Sequence, residues 1–212
     1  MHIVSVNVGL PREVAWGNET VRTGIFKQPT GGRVVLRRLN LEGDAQADLS
    51  VHGGPDKAVY AYPIENYAYW REQLPGRDLP FGIFGENLTL AGLTEDAACI
   101  GDELRVGAAR LVITQPRLPC FKLGIRFGDP SIISRFLASN RPGFYLAVLE
   151  EGDIAAGDSV ERVHEDENRL TVVELLRLMV HDKTNVELMR RALSVRHLAA
   201  ILRKKFESRV QG

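Results

Sequence analysis

The sequence predicts a mainly β fold: a closed or half-closed barrel with covering helices, followed by a small C-terminal three-helix bundle. Three observations predict it. Many short β-prone runs, bounded by Gly, Pro and Asn, follow one another with turn signals between them. Strands and long helices do not alternate, which speaks against a layered α/β sheet. After about Glu165, capping boxes and apolar stripes at helical spacing replace the strand pattern. The expected division is residues 1–164 for the barrel and 165–212 for the helical module.

Taken in order, Ile3 to Val8 alternates apolar with small polar residues and reads as the first strand. Val21 to Lys27, Arg33 to Arg38 and Lys57 to Tyr62 are further β-prone runs. Glu86 to Leu90, Glu103 to Val106, Arg110 to Thr114, Phe144 to Leu149 and Ser159 to Val163 complete the set. Gly101-Asp102 and Gly157-Asp158 read as turns feeding strands. Two helices are expected inside the β region. Glu65 to Leu74 follows Pro63, and Pro130 to Ser139 carries Asp129 as N-cap and proline at its first position. His164 to Asn168 reads as a polar linker. Thr171-Val172-Val173-Glu174 is a capping box, Thr184-Asn185-Val186-Glu187 reads as another, and Ser194 as the cap of a third helix. Val195, Leu198, Ala199, Leu202 and Phe206 form that helix's apolar face.

Composition limits the function. The 27 basic residues balance 27 acidic ones, so zero net charge speaks against a nucleic-acid or anionic-membrane binder. The 2 cysteines, Cys99 and Cys120, make neither a disulfide framework nor a tetrahedral zinc site. Apolar runs fall short of the roughly 20 residues that span a bilayer, and the N-terminus lacks the basic region of a signal peptide. The expectation is a soluble cytoplasmic protein. No G-x-G-x-x-G occurs, so no nicotinamide or flavin site is expected on this chain.

The chemistry concentrates around Cys120. Pro116 and Pro119 hold the backbone extended just ahead of the thiol. Arg117 and Lys122 flank the sulfur, and nearby cations favour the thiolate, the form that binds metals and attacks electrophiles. Cys99, in Ala97-Ala98-Cys99-Ile100, reads as core packing. His52 precedes two glycines that let the backbone approach a ligand closely. Lys27 ends a strand, and Asn87 sits at the start of another. The aromatic run Tyr60, Tyr62, Tyr67, Tyr69 and Trp70 reads as core.

Four segments together carry a resemblance: Leu41-Glu42-Gly43-Asp44-Ala45-Gln46-Ala47-Asp48, Val51-His52-Gly53-Gly54-Pro55-Asp56-Lys57-Ala58, Phe84-Gly85-Glu86-Asn87-Leu88 and Gln115 through Leu123. In these the chain resembles the MOSC family, and within it the stand-alone bacterial YiiM-like group that ends in three helices. The resemblance implies a β-barrel holding a molybdenum–pterin cofactor, with Cys120 as thiolate ligand to the metal. Soft sulfur suits a metal whose other ligands are also sulfur. Lys27, Lys57, Arg117 and Lys122 would neutralise the pterin phosphate. His52 would bond an oxygen ligand or shuttle protons, and Asn87 would meet the pterin edge.

The same resemblance implies reduction of N-hydroxylated compounds, including hydroxylamino-purine base analogues, with loss of water. Electrons would come from a separate flavoprotein reductase, and a homodimer is also implied. Other readings stand beside it. One is a carrier of the cofactor or its sulfur without turnover; a full cofactor sulfurase also needs a pyridoxal-phosphate domain, for which this chain is too short. Another is a cysteine nucleophile paired with His52. Arg203, Lys204 and Lys205 read as a solvated face.

Overall fold

The computed structural model describes residues 1–47 and 53–211. Its elements in chain order are β1 (His2–Val8), β2 (Arg12–Trp16), β3 (Glu19–Thr23), β4 (Gln28–Pro29), β5 (Val34–Leu36), a 3-10 turn (Pro55–Lys57), β6 (Val59–Pro63) and α1 (Glu65–Gln73). Then come β7 (Leu88–Ala91), β8 (Glu103–Val106), β9 (Ala109–Pro116), α2 (Phe121–Phe127), α3 (Ile132–Ala138), β10 (Phe144–Glu150), β11 (Gly152–Ile154) and β12 (Glu161–His164). Three helices close the chain: α4 (Val172–Val180), α5 (Val186–Ser194) and α6 (Ala200–Gln211).

Eight strands form one mixed sheet in the order β12-β8-β9-β10-β6-β7-β1-β4. Among the described residues only β6 and β7 pair in parallel, and α1 makes that crossover. The sheet curls on itself. The segment entering β12 returns to β1, where Ile3 N–H donates to Asp158 O at 2.9 Å and Val160 N–H to Met1 O at 2.9 Å. The result is a half-closed barrel with covering helices and a C-terminal helical module, as the strand grammar predicts.

One apolar core fills the barrel and continues into the module. Ile3, Leu88, Leu111, Ile113 and Leu146 share it with Leu175, Leu178, Met189 and Phe206. A second, aromatic core lies between the sheet and α1, α2 and α3. There Trp70 stacks on Phe136 with ring centroids 6.0 Å apart, and its indole N–H donates to the Tyr62 hydroxyl at 2.7 Å. The aromatic run read as core is core, and Cys99 is buried as read.

Several boundaries differ from the sequence reading, each for a local reason. The sequence shows no helix after Cys120, yet α2 starts at Phe121, because Pro119 restricts only the residue before it and Gly128 supplies a left-handed C-cap. α3 begins at Ile132 instead of Pro130, since the Asp129 carboxylate accepts from Ser131 N–H and hydroxyl and makes a separate turn first. β7 starts at Leu88, because Glu86 folds back to accept from Gly82 N–H at 2.8 Å and Phe84 N–H at 3.1 Å.

Thr171 and Glu174 do form the predicted capping box on α4. At α5 the cap is Asn185, whose side chain accepts from Leu188 N–H, in place of a Thr184 box. Ser194 ends α5 and does not open α6. The five apolar positions assigned to the last helix are all buried, but Val195, Leu198 and Ala199 sit in the turn before it. The His164–Asn168 stretch is pinned, with Asp166 N–H donating to the buried Asp102 carboxylate at 3.0 Å. The strands β2, β4 and β11 are not foreseen by the sequence reading.

Candidate functional site

The strand β9 delivers the chain to one cleft. It runs through Gln115-Pro116, leaves the sheet at Arg117, and reaches Cys120 in an extended conformation (φ −120°, ψ 172°) before α2 begins. The two prolines therefore act as the sequence suggests, carrying the thiol outward from the barrel wall. Cys120 is half-buried and in no disulfide.

The cleft opens to solvent and spans about 700 Å³ of empty space, the open solvent at its mouth included. Lys27, Lys57, Asn87, Arg117, Cys120 and Lys122 all line it. Six of the seven residues picked from sequence thus share one cavity. The seventh, His52, lies outside the described residues, as does Asp48.

The cations occupy different electrostatic situations. Arg117 is buried, 5 % exposed, and its guanidinium faces the ring of Tyr60 (4.9 Å to the centroid) and that of Phe136 (5.3 Å). Burial works against its charge, but Tyr60, Tyr145 and Cys120 hold its pKa above the ordinary value. Its Nη1 is buried with no hydrogen-bond partner among the described residues. A buried guanidinium donor left unpaired is costly, so such a group is a donor awaiting an anionic acceptor.

Lys27 is almost fully buried and ion-paired with Asp44. Burial pulls its pKa below the ordinary lysine value, and Asp44 opposes that shift. Lys57 is half-buried, and burial lowers its pKa too. Lys122 projects from the first turn of α2.

Asn87 is committed within the protein. Its Nδ2 donates to Asp44 Oδ2 at 3.0 Å and to Asn7 O at 3.3 Å, and its Oδ1 accepts from Tyr60 N–H at 3.1 Å. Asp44 also accepts from Gly9 N–H at 2.9 Å. The amide's work is therefore to hold Asp44, and through it Lys27, and neither Nδ2 hydrogen is left for a ligand. Gly85 sits tight beside this network. Its φ of +79° and a space that places an added Cβ 2.8 Å from Ile25 Cγ1 both require glycine.

The sequence reading passes over two lining aromatics, Tyr60 and Tyr145, and the structural role of Asp44. Burial raises the pKa of both tyrosines, and Arg117 opposes that shift. Tyr60 belongs to a run that reads as core, and the Asp44 signal is diluted in an acidic loop. Among the described residues no group of three His, Cys, Asp or Glu side chains converges to hold a metal.

A half-closed barrel with a thiol and cations at its mouth, followed by three helices, defines a class. The MOSC domain model matches residues 48–161, and the YiiM-like, 3-alpha helix domain model matches residues 170–212. The chain belongs to the MOSC domain family. The uncharacterized protein YflK of Bacillus subtilis is 42 % identical over 204 residues, covering 96 % of this chain and 92 % of YflK. The crystal structure of YiiM from Geobacillus stearothermophilus superposes with a TM-score of 0.82 at 33 % identity, covering 99 % of this chain and 98 % of that one. A protein of Gibberella moniliformis named reductase is 33 % identical over 180 residues, covering 84 % of this chain but only 32 % of its own length.

Proposed function

We propose that this protein binds a molybdenum–pterin cofactor through Cys120 and reduces N-hydroxylated compounds, with electrons from a separate flavoprotein. The observation that carries the reading is the buried Nη1 of Arg117, without a hydrogen-bond partner among the described residues, in the same cleft as the Cys120 thiol. An anionic group of a cofactor would satisfy that donor, and Lys57 and Lys122 would add to its neutralisation. The donor set fits a metal that brings its own sulfur ligands, since the cleft offers the soft sulfur of Cys120 and, among the described residues, no cage. When bound, the group would supply the two-electron redox chemistry.

The reaction balances as R–NH–OH plus two electrons and two protons, giving R–NH₂ and water. The chain's own part would be to orient and hold. Arg117 and Lys57 would fix the anionic end of the cofactor, and Lys27, its charge matched by Asp44, would hold the shape of the wall. The phenols of Tyr60 and Tyr145, whose pKa values are raised, would stay protonated and line the cleft as neutral groups. The fungal relative named reductase is consistent with an oxidoreductase.

The test is metal and pterin content after expression in a cofactor-making host, with Cys120→Ala alongside. The expected result is molybdenum near one equivalent in the natural protein and loss of it in the variant, whose thermal stability should match that of the cofactor-free natural protein. Normal molybdenum in the variant would refute the ligand role. Repeated turnover of a hydroxylamino substrate with a flavoprotein reductant separates an enzyme from a carrier, which would not turn over.

A further inference from the structure

A second concentration of positive charge lies beside the cleft, centred on Phe26. Its chain neighbours Ile25 and Lys27 both line the cleft. Two guanidiniums rest on its half-buried ring. Arg12, from the start of β2, has Cζ 3.8 Å from the centroid, and Arg126, from the last turn of α2, has Cζ 5.2 Å away. These distances bound the separation of the two charges at about 9 Å. Arg126 lies four residues after Lys122, on the same side of the helix, so a positive strip runs outward from the cleft.

Some arginines of this protein meet carboxylates, and others, such as Arg77 and Arg135, donate to backbone carbonyls. Arg33 pairs with Asp153 and Asp158, Arg37 with Glu42 and Glu151, Arg110 with Glu103 and Glu150, and Arg191 with Glu174. Neither Arg12 nor Arg126 has an ion pair among the described residues, and Arg126 Nε is buried with no hydrogen-bond partner among them. Burial first, and then the charge of Arg12, pull Arg126 below the ordinary guanidinium value. The acid that counters this, Glu86, is buried and already accepts from Tyr67, Gly82, Phe84 and Thr89. Arg77 adds more charge of the same sign. The cluster is therefore short of anions.

Two guanidiniums within about 9 Å of each other and short of carboxylates match a phosphate monoester, whose oxygens accept N–H donors and whose charge approaches −2. We propose that Arg12 and Arg126, held on Phe26, bind the phosphate of a nucleotide. The inference rests on the reductase reading, and it makes the substrate an N-hydroxylated base in its phosphorylated form. Arg117, Lys57 and Lys122 surround the thiol in the cleft, whereas Arg12 and Arg126 lie outside that lining. The phosphate assigned to them is thus the substrate's, not the cofactor's.

The experiment titrates the full chain with AMP and with adenosine by calorimetry at low salt. AMP is expected to bind at least tenfold more tightly than adenosine. Arg12→Gln/Arg126→Gln, or Arg12→Gln alone, should erase that preference, and Arg22→Gln should not. Equal affinities for the two probes, or a preference that survives the double variant, overturns the site. Pterin content of the double variant separates the sources: retention supports the assignment, and loss gives the phosphate to the cofactor and overturns it. In turnover, the kcat/KM ratio of the N-hydroxylated nucleotide over its nucleoside should fall at least tenfold in Arg126→Gln. If both are reduced equally by the natural protein, the reductase reading stands and the nucleotide inference falls. If neither is reduced while AMP binding still needs Arg12 and Arg126, the reductase reading fails and the phosphate site stands.

Discussion

Replacing Lys27 by Met should cost more than replacing Lys27 and Asp44 together. The Lys27–Asp44 pair is buried, with side chains 8 % and 1 % exposed. Removing one member of such a pair typically costs about 3–5 kcal/mol, because the other charge stays buried without its partner. Asp44 keeps two hydrogen bonds, from Gly9 N–H and Asn87 Nδ2, which places Lys27→Met at the low end, about 3 kcal/mol. For a chain of this size that is a fall in Tm of roughly 6–12 °C. Lys27→Met/Asp44→Asn removes both charges together with the bond between them and loses one bond more, because the new amide cannot accept from Asn87 while still accepting from Gly9. The double variant should therefore sit within about 1 kcal/mol of the natural protein.

Urea unfolding reads both, with Cm moving and m constant. The core continuous between barrel and helices supports a single transition. A pH series adds an independent check. Burial sets the folded pKa of Lys27 below its unfolded value of 10.5, so between those two values the unfolded chain holds a proton that the native chain has released. The natural protein should gain stability relative to Lys27→Met as pH rises through that window, and lose the gain as pH falls through the folded pKa. A single-variant cost below about 1 kcal/mol, or a double variant as unstable as the single, would show that solvent reaches this pair and that burial does not govern it.

Two further outcomes follow from the same cleft. Arg117→Met removes a buried Nη1 that has no hydrogen-bond partner among the described residues but also the ring contacts with Tyr60 and Phe136, so the cofactor-free protein should change by less than about 2 kcal/mol while cofactor retention falls; thermal melts and pterin fluorescence read the two effects, and a large loss of stability would mean that Nη1 is satisfied in solution. Iodoacetamide should label Cys120 well before Cys99, which is 2 % exposed and whose thiol is pushed up first by burial and then by Asp102; peptide mapping that finds Cys99 modified first would contradict this burial.

The legible parts of the sequence were those where one physical cause dominates. Proline before Cys120 fixes an extended approach whatever the surroundings, and an apolar stripe behind a Thr-x-x-Glu box has few other fates. The cations near the thiol were legible by type, since lysine and arginine near a sulfur favour one chemistry. Their partners were not. Nothing local tells that Asp44 lies under Lys27, 17 residues away, or that Asn87 spends its amide on Asp44. The Arg12–Phe26–Arg126 cluster joins three segments that only the fold brings together. Helix starts were missed where a side chain made a competing turn, as Asp129 does before α3.

The C-terminal helices bear on the cleft through the backbone segments that line it. The carboxylate of Asp56 accepts from Ala200 N–H at 2.8 Å, at the start of α6, and the Asp56 carbonyl accepts from the Thr114 hydroxyl at 2.7 Å. Ala199 N–H in turn donates to Thr114 O at 3.3 Å. Asp56 precedes Lys57 in the 3-10 turn, and Thr114 lies three residues before Arg117 on the strand that leads to Cys120. The first residues of α6 therefore tie together the two backbone segments that present cations to the cleft. Fixed main-chain geometry is what a charged recognition site requires, because a loose lysine spends its binding energy on its own ordering. Burial of Leu202 and Phe206 in the shared core supplies the apolar contact that keeps this tie in place.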